Sequence, residues 1–231
     1  MTEISKRLIT AIDVAEMSRA AALVAAVAPH SGLVKLGLEF YLANGPAGLK
    51  VAGDAPVFLD LKLHDIPNTV AGAVRSLAPL NVAMLTVHAA GGAKMIAAAR
   101  AAADGAGAKR PLILAVTVLT SLDAEALYSI GVSGGPTQQV LRLARLALES
   151  GADGLVCSAH ELAPLRASFG EKPILVVPGI RPEGSDIGDQ ARVMTPPAAM
   201  AAGASYIVVG RPITGATDPS AAAAVIAKAI A

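Results

Sequence analysis

Eight short apolar runs, separated by stretches with helical spacing, constrain the fold of this chain more than any other feature. The runs are rich in Val, Ile and Leu and cover residues 8–12, 33–36, 57–61, 83–87, 112–116, 154–156, 174–177 and 206–209. Alanine-rich stretches with the spacing of amphipathic helices lie between them, among them residues 15–27, 69–77, 93–103, 137–149 and 220–230. Strands that alternate with helices in this way pair in parallel through right-handed crossovers.

Eight strand and helix units without a long polar linker favour a closed (β/α)8 TIM barrel over an open, doubly wound sheet. The chain has 231 residues, which lies within the size range of one such barrel. We therefore expect residues 1–231 to form a single α/β domain. The composition fits buried strands covered by small helical side chains, since 54% of the residues are hydrophobic and 16% are charged.

Charge and cysteine content argue against several classes of protein. The formal net charge is +1 and there is no basic tail, so we expect no nucleic-acid partner. Cys157 is the only cysteine, which excludes an internal disulfide and a multi-cysteine zinc site. The N-terminus lacks a signal-peptide pattern, and each apolar run is broken well before the roughly 20 residues that span a bilayer. We expect an untargeted, cytoplasmic protein with no membrane partner.

Charged residues collect at the carboxyl ends of the first three predicted strands. Asp13 follows the first strand, Lys35 lies late in the second, and Asp60 and Lys62 end the third. Strand periodicity sends Asp60 and Lys62 to the same side, and Asp65 follows on the next loop. Barrel enzymes carry their catalytic groups at the carboxyl ends of the strands. These residues are therefore candidates for a catalytic site.

Ion pairs also stabilise the rims of barrels, and that interpretation remains open for this cluster. Exposed pairs contribute little to stability, however, and buried pairs often fail to offset the cost of removing their charges from water. Four or five charges gathered in a chain with so few of them favour a functional site.

The order of these residues resembles the signature of the bacterial type of orotidine 5′-phosphate decarboxylase. Asp60-x-Lys62-x-x-Asp65 is followed by Ile-Pro-Asn-Thr, and Asp13 in Ala-Ile-Asp and Lys35 in Val-Lys-Leu-Gly precede it. The resemblance extends over nearly the whole chain, to Thr120 in Leu-Thr-Ser, Pro178-Gly179-Ile180-Arg181, Gln190 and Val209-Gly210-Arg211-Pro212. Related barrels with phosphate substrates share D-x-K-x-x-D alone, whereas the full ordered set is specific.

The resemblance implies decarboxylation of orotidine 5′-monophosphate to UMP and CO₂, the last step of de novo pyrimidine nucleotide synthesis, with no cofactor and no metal. Lys62 is the expected acid that protonates the ring carbanion, and the other expected catalytic residues are Asp60, Asp65 and Lys35. Asp65 and Thr69 are expected to complete the neighbouring site in a homodimer. The implied substrate contacts are Asp13, Lys35, Asp60, Thr69, Thr120, Pro178, Arg181, Gln190, Gly210 and Arg211.

The chemistry of phosphate binding supports the last part of this set. A phosphate needs backbone N–H donors and fixed cations, which the late strand-to-helix loops of barrels commonly supply. Gly179 and Gly210 can bring backbone close to a ligand, and Arg181 and Arg211 can each present a planar fork of donors. Gly-Arg-Pro fits an ordinary strand-to-helix turn equally well, so this assignment depends on the third-strand cluster.

Two other functions remain open from the sequence. A decarboxylase or aldolase that acts on a sugar phosphate would use a divalent metal at a similar cluster. A catalytically silent barrel that senses a nucleotide would need Arg181 and Arg211, but it has no evident need for Lys62 between carboxylates.

Five further polar residues receive no catalytic role. His64 and His88 lie near the cluster without a pattern that indicates their chemistry. We interpret Cys157 as a small buried apolar residue. Asp153 and Glu161 are interpreted as solvated charges at helix ends.

Overall fold

Eight parallel strands close into a barrel, in the order of the sequence, in the computed structural model, which describes residues 5–183 and 194–231. The predicted (β/α)8 fold is thereby confirmed. The strands are β1 (Leu8–Ile12), β2 (Leu33–Gly37), β3 (Val57–Leu63), β4 (Met84–His88), β5 (Leu112–Val116), β6 (Gly154–Val156), β7 (Ile174–Val177) and β8 (Tyr206–Val209). The described α-helices are α1 (Met17–Val27), α2 (Leu38–Asn44), α3 (Pro67–Leu77), α4 (Ala93–Asp104), α5 (Ala124–Ser129), α6 (Pro136–Glu149), α7 (Leu162–Phe169), α8 (Pro196–Ala201), α9 (Arg211–Thr214) and α10 (Pro219–Ala229).

The strands pair in a regular parallel register around most of the barrel. Thr10 of β1 pairs with Val34 of β2, and Leu36 of β2 pairs with Leu59 of β3. Thr10 also pairs with Val209 of β8, which closes the sheet on itself. Every residue of β1 is buried, as expected for a parallel strand with the barrel interior on one face and helices on the other.

Two apolar layers hold the barrel together. The outer layer lies between the sheet and the helices and includes Val24 of α1, Val74 of α3 and Ile96 of α4. The inner layer fills the barrel with buried side chains from seven of the strands, and the partly buried Val156 of β6 packs against them. Its buried members are Ile9, Ala11, Leu33, Phe58, Met84, Leu114, Val176 and Val208. The inner layer forms an apolar floor below the carboxyl ends of the strands.

Three of the predicted helices begin at a proline, one or two residues before the predicted start. α3, α6 and α10 carry Pro67, Pro136 and Pro219 at their first position. A proline costs nothing there, because the first N–H groups of a helix have no partner within the helix. In α10, the Asp218 carboxylate also caps the helix by accepting the Ala221 N–H at 2.9 Å.

Gly154 of β6 is required by the close approach of β7. A Cβ atom added at Gly154 would lie 2.3 Å from the carbonyl oxygen of Ile174, which is closer than any real contact of this kind. The shortest strand of the barrel therefore begins with the one residue type that its neighbour can accommodate.

The amino-terminal end of the barrel contains an ion-pair cluster around Asp153, just before β6. Arg110 donates two hydrogen bonds to this carboxylate, each of 2.8 Å, and Arg100 donates another of 3.0 Å. The backbone N–H of Ile113 donates a further bond of 2.8 Å. The Asp153 side chain is only 10% exposed, so its interpretation as a solvated charge is wrong.

Glu161 is buried as well, which also contradicts its interpretation as a solvated charge. Its Oε2 accepts the Ser158 N–H at 2.8 Å, so the side chain forms a capping box that begins the turn before α7.

Among the described helices, none combines the length and apolar character that crossing a bilayer requires.

Candidate active site

Four predicted charged residues form one continuous array at the carboxyl ends of β1, β2 and β3. Lys35 Nζ donates a hydrogen bond of 2.8 Å to Asp13 Oδ1 and lies 3.9 Å from Asp60 Oδ2. Lys62 Nζ donates a hydrogen bond of 2.8 Å to the same Asp60 oxygen. Negative and positive groups thus alternate, and each ammonium group lies beside a carboxylate. We call these four residues the charged array.

Lys62 lies in an irregular part of β3. Its φ angle is 50°, in the left-handed region that costs a residue other than glycine about 1–3 kcal/mol. The register between β3 and β4 shifts between Leu59 and Leu63. Simple alternation along the strand therefore does not describe this segment, although Lys62 and Asp60 do meet as the sequence predicts.

Thr86 of β4 links Lys62 to Asp60 by hydrogen bonds, and the sequence did not lead us to predict it. The fully buried Thr86 hydroxyl accepts the Lys62 backbone N–H at 2.8 Å and donates to Asp60 Oδ1 at 2.9 Å. A signal was available in the sequence, because Thr86 alternates with Met84 and His88 along β4. Met84 belongs to the inner apolar layer, so the next residue on that face points toward the charged array.

The surroundings of Asp60 keep its carboxylate ionised. Burial favours the neutral acid and by itself raises the pKa of Asp60. The positive charges of Lys35 and Lys62 and the hydrogen bonds from Lys62 and Thr86 outweigh burial, so the pKa lies below its ordinary value. Asp60 is therefore a fixed negative charge at the edge of the cavity described next.

Two adjoining cavities open onto the charged array. One, of about 270 Å³, is lined by Lys62 and Thr120 together with apolar residues of β5 and β6. The other, of about 350 Å³, extends from Asp13 to the loops after β7 and β8. Both are lined by Lys35, Asp60, Pro178 and Val208. The shared lining makes them two ends of one depression, one apolar and one polar.

Two larger clefts lie away from the charged array, and their chemistry differs. One, of about 790 Å³, lies along α3 and α4 and is lined mostly by alanine. The other, of about 880 Å³, lies near the beginnings of β3 and β4. The lysine–carboxylate ion pairs of the described residues all lie in the charged array, and none joins two lining residues of either cleft. The array, rather than cavity size, therefore identifies the candidate active site.

The polar end of the depression contains the residues predicted to bind phosphate. Gly179, Arg181, Gly210 and Arg211 all line it. Gly179 has a φ angle of 76°, a conformation that glycine adopts without strain. Arg181 is 8% exposed and donates a hydrogen bond to the Ile180 carbonyl, whereas Arg211 is exposed at the start of α9. Gln190 lies outside the described residues.

Asp65 and Thr69 are not brought to the charged array of their own chain. The Asp65 carboxylate accepts the Ile66 N–H at 2.6 Å, and the described residues form no ion pair with it. Asp65 and Thr69 are exposed, and Ile66 between them is 67% exposed. These three residues form an exposed strip with an apolar centre beside the site, which we call the Asp65 strip.

The chain is similar over nearly its whole length to known proteins. Residues 6–226 match the sequence profile of the family described as "Orotidine 5'-phosphate decarboxylase / HUMPS family". The chain belongs to this family. The orotidine 5′-phosphate decarboxylase of Anaeromyxobacter sp. (strain K) is 55% identical over 98% of this chain and 99% of its own length. That of Gluconobacter oxydans is 54% identical over 97% of both chains.

A solved structure from the same family has the same fold. The crystal structure of orotidine 5′-phosphate decarboxylase from Lactobacillus acidophilus matches with a TM-score of 0.86 and 38% identity. The match covers 96% of this chain and 98% of that one. The charged array and both cavities therefore lie in the part of the chain that corresponds to the orotidine 5′-phosphate decarboxylase family.

Two histidines lie close to Lys62 in this family member. The His88 ring stacks on His64, with 5.4 Å between the ring centroids and an angle of 27° between the planes. His88 Nδ1 is buried, and no described residue forms a hydrogen bond with it. Burial, His64 and Lys62 all lower the pKa of His88, so this ring is neutral at pH 7 and adds no charge beside the array.

Cys157 lines the apolar end of the depression and is almost fully buried. Burial and the nearby Glu161 raise the pKa of the thiol, and Arg166 opposes them only in part. The interpretation of Cys157 as a small apolar residue agrees with this environment.

Within the described residues, no group of three or more His, Cys, Asp or Glu is arranged to hold a metal ion.

Proposed function

We propose that this protein decarboxylates orotidine 5′-monophosphate to UMP and CO₂, the last step of de novo pyrimidine nucleotide synthesis. The observation that carries the proposal is the alternating array of Asp13, Lys35, Asp60 and Lys62 beside a depression whose two ends differ in polarity. Family membership and the names of the closely similar relatives support it.

The substrate fits the depression in one direction. The pyrimidine base enters the apolar end beside Thr120, and the phosphate binds at Arg181 and Arg211. Backbone at Gly179 and Gly210 lines the phosphate end, and we include Gln190 as a further contact there. Pro178 lies at the boundary of the two cavities, and Asp13 and Lys35 lie between the two ends, where the ribose passes. The guanidinium groups supply the planar forks of donors that a phosphate accepts.

Lys62 is the proposed proton donor. The bond between the ring carbon and the carboxylate breaks, CO₂ leaves, and the electron pair remains on the ring carbon. The Lys62 ammonium stabilises this developing charge and then transfers a proton to the same carbon. Asp60, 2.8 Å from Lys62 Nζ, holds the ammonium group in an ion pair before the transfer. Lys35 forms ion pairs with both Asp13 and Asp60.

Repulsion between Asp60 and the substrate carboxylate contributes only part of the acceleration. Two charges about 4 Å apart, at an effective dielectric constant near 20, interact by about 4 kcal/mol. Large enzymatic accelerations correspond to about 8–23 kcal/mol. Most of the effect must therefore come from stabilising the carbanion, and from phosphate binding energy that is expressed in the transition state.

The proposal includes a homodimer in which Asp65 and Thr69 complete the neighbouring site. The Asp65 strip supports it, because Asp65 forms no ion pair with Lys62 of its own chain and Ile66 exposes an apolar side chain between two polar ones. A twofold axis near the strip would place each Asp65 at the other chain's array.

We also place the protein in the cytoplasm, which agrees with a single, buried cysteine.

The activity is tested by following the loss of orotidine 5′-monophosphate absorbance with purified protein and no added metal or cofactor. Turnover that persists in excess chelator supports the proposal. Binding of UMP without turnover of the precursor would favour a nucleotide sensor. Turnover of a sugar phosphate that requires a divalent metal would favour the other branch of the family. The Lys62→Ala variant, prepared in the same way, measures any contaminating activity.

The shared site is tested by mixing two inactive variants. Lys62→Ala and Asp65→Ala each damage both sites of a homodimer, but a hybrid dimer has one site with both residues intact. Unfolding and refolding an equal mixture should restore about a quarter of the wild-type activity, because half of the dimers are hybrids with one intact site. A mixture as inactive as its components would contradict the sharing of Asp65.

A further inference from the structure

We infer that Thr86 is a positioning residue of the decarboxylation site, whose hydroxyl fixes the Lys62 backbone and the Asp60 carboxylate relative to each other. The inference rests on the proposed function, because it assigns Lys62 and Asp60 their roles there. Thr86 itself is fully buried and acts through these two neighbours.

The hydrogen bonds of Thr86 can run in only one direction. The Lys62 backbone N–H is a donor and cannot accept, so the Thr86 oxygen accepts from it at 2.8 Å. Ionised Asp60 is an acceptor and cannot donate, so the Thr86 O–H donates to it at 2.9 Å. A hydroxyl has one proton to donate, and here that proton is committed to Asp60. The side chain thus links the lysine backbone to the carboxylate without rotational freedom.

The irregular pairing of β3 with β4 explains why a side chain is needed at this position. Leu59 pairs with Leu85, and Leu63 pairs with Val87. Between these pairs, β3 contains three residues, Asp60 to Lys62, while β4 contains Thr86 alone. The ordinary ladder cannot serve all the backbone groups of the longer segment. The Thr86 hydroxyl supplies the partner for the Lys62 N–H, at the residue with the left-handed φ angle of 50°.

This conformation determines where the Lys62 ammonium lies. A residue with positive φ directs its side chain differently from a regular strand residue, and such a conformation persists only where its surroundings enforce it. Without the Thr86 hydroxyl, the N–H loses its acceptor and the backbone can relax toward ordinary strand geometry. Asp60 simultaneously loses one of the groups that keep its pKa low. The ammonium would then be less well aligned with the reacting carbon.

The decisive comparison is between Thr86→Val, Thr86→Ser and a matched control, Thr10→Val. Valine has nearly the shape of threonine and lacks only the hydroxyl, whereas serine retains it. Thr10 is also fully buried on a strand, and its hydroxyl shares a hydrogen bond of 2.7 Å with Ser31. Thr10→Val therefore removes a buried hydroxyl from the same barrel but away from the charged array.

We expect Thr86→Val to lower kcat by about tenfold to a hundredfold, the scale of a small misplacement of a catalytic group, with a smaller change in KM. Thr86→Ser should restore kcat to within about threefold of wild type, since it keeps both hydrogen bonds. Thr10→Val should leave kcat and KM unchanged. A Thr86→Val enzyme with wild-type kcat would overturn the inference while leaving the proposed function intact.

The pH profile of kcat/KM gives a readout that a merely structural role would not move. In Thr86→Val, Asp60 loses a hydrogen bond to its charged form, so the acid limb should shift to higher pH. The charged and titratable groups near Asp60 are Lys35 on β2, Lys62 on β3, Asp13 beyond Lys35, and His64 and His88 near Lys62. All of them are unchanged in Thr86→Ser, whose acid limb should match wild type.

Hydrogen exchange of the Lys62 amide tests the inference independently of activity. The amide should exchange faster in Thr86→Val than in wild type, and at the wild-type rate in Thr86→Ser and Thr10→Val. If the wild-type protein does not decarboxylate orotidine 5′-monophosphate, the proposed function fails. An unchanged exchange rate of the Lys62 amide in Thr86→Val would overturn a different claim, namely that Thr86 fixes the Lys62 backbone. Thr86→Cys, which keeps the size of the side chain with a weak donor, replaces Thr86→Val in all three measurements if valine prevents folding.

Discussion

The two ends of the barrel each contain a carboxylate beside two cations, yet the two carboxylates differ in how many hydrogen bonds they already accept. Asp153, at the amino-terminal end, accepts four hydrogen bonds from Arg100, Arg110 and the Ile113 backbone. Asp60, at the carboxyl end, accepts one from Thr86 and one from Lys62, while Lys35 stays at 3.9 Å. The first carboxylate is saturated, and the second borders a cavity.

The cations explain this difference. Arg110 holds Asp153 with a planar fork, a rigid arrangement suited to a permanent ion pair. Lys35 and Lys62 are compact charges on flexible stems, and an ammonium group can also give up a proton. The pKa values of Asp60 and Asp153 are both lowered from their ordinary value. A lowered pKa therefore marks a paired carboxylate at either end, and geometry distinguishes the functional pair from the structural one.

The largest expected effect is the loss of turnover in Lys62→Ala. Removal of the proton donor and of the charge that stabilises the carbanion should lower kcat by on the order of 10⁴-fold or more, while the fold survives. Turnover measured beside circular dichroism and the midpoint of thermal unfolding checks both parts. Lys109→Ala, at the other end of the barrel, is the matched control and should keep full activity. Near-normal decarboxylation by Lys62→Ala would remove Lys62 as the acid.

The comparison is tested most directly by exchanging Asp for Asn at both ends. Asp60→Asn should lower kcat at least about a hundredfold, because it removes a charge aimed at the reacting groups. Asp153→Asn should leave kcat of the folded protein within about threefold but lower the free energy of unfolding by about 2–3 kcal/mol. That cost is below the about 3–5 kcal/mol of a fully buried pair, since Arg100 and Arg110 stay partly hydrated.

The opposite pattern would break the distinction between the two ends. Asp60→Asn should change the free energy of unfolding by no more than about 1 kcal/mol, as expected where a site sacrifices stability for function. Urea unfolding and steady-state kinetics on the same samples give both quantities. If Asp60→Asn proves the less stable variant and Asp153→Asn the less active one, the two carboxylates have been assigned the wrong roles.

A smaller effect is expected at the phosphate end. Arg211→Ala should lower kcat/KM by about a hundredfold, the scale of a charged hydrogen-bonding group lost from a phosphate site. Arg75→Ala, which removes an exposed arginine of α3 far from the depression, is the control and should behave as wild type. Initial rates at low substrate concentration measure the ratio. An unchanged kcat/KM in Arg211→Ala would exclude Arg211 from the binding site.

Most of the fold follows from the sequence, because the barrel depends on patterns that a sequence displays directly. Buried parallel strands require unbroken apolar runs, and five of the eight predicted strands coincide with those of the structure, including β1 and β5. The boundary differences at α3 and α10 arise from prolines, which fit the first turn of a helix without loss. The order of the strands around the barrel also follows, since each short connection leads to the neighbouring strand.

The site was less predictable, because its geometry depends on pairing between strands. The sequence placed Asp60 and Lys62 at the end of β3, but the register shift that gives Lys62 its positive φ angle depends on β4. Thr86 resembles any buried threonine until it is seen opposite that shift. Asp153 was misinterpreted for the same reason: its partners Arg100 and Arg110 lie more than 40 residues away and meet it only in the folded barrel.

The smallest effect is the pH dependence of stability at the Asp153 end. Burial raises the pKa of Asp153, but the hydrogen bonds from Arg110 and the Ile113 N–H and the charges of Arg110 and Arg100 lower it below the ordinary value of 3.8. A carboxyl whose pKa is lower in the folded state adds stability above its unfolded pKa, and this stability is lost as pH falls through the folded value. The free energy of unfolding of Asp153→Asn should therefore lie furthest below that of wild type at pH 7 and approach it below pH 3.8. Urea titrations at a series of pH values measure the gap. If the difference in free energy of unfolding does not change with pH, Asp153 stabilises the barrel by its shape and hydrogen bonds and not by its charge. The pKa of Asp153 would then not be lowered in the folded state, and the two ends of the barrel would no longer share that property.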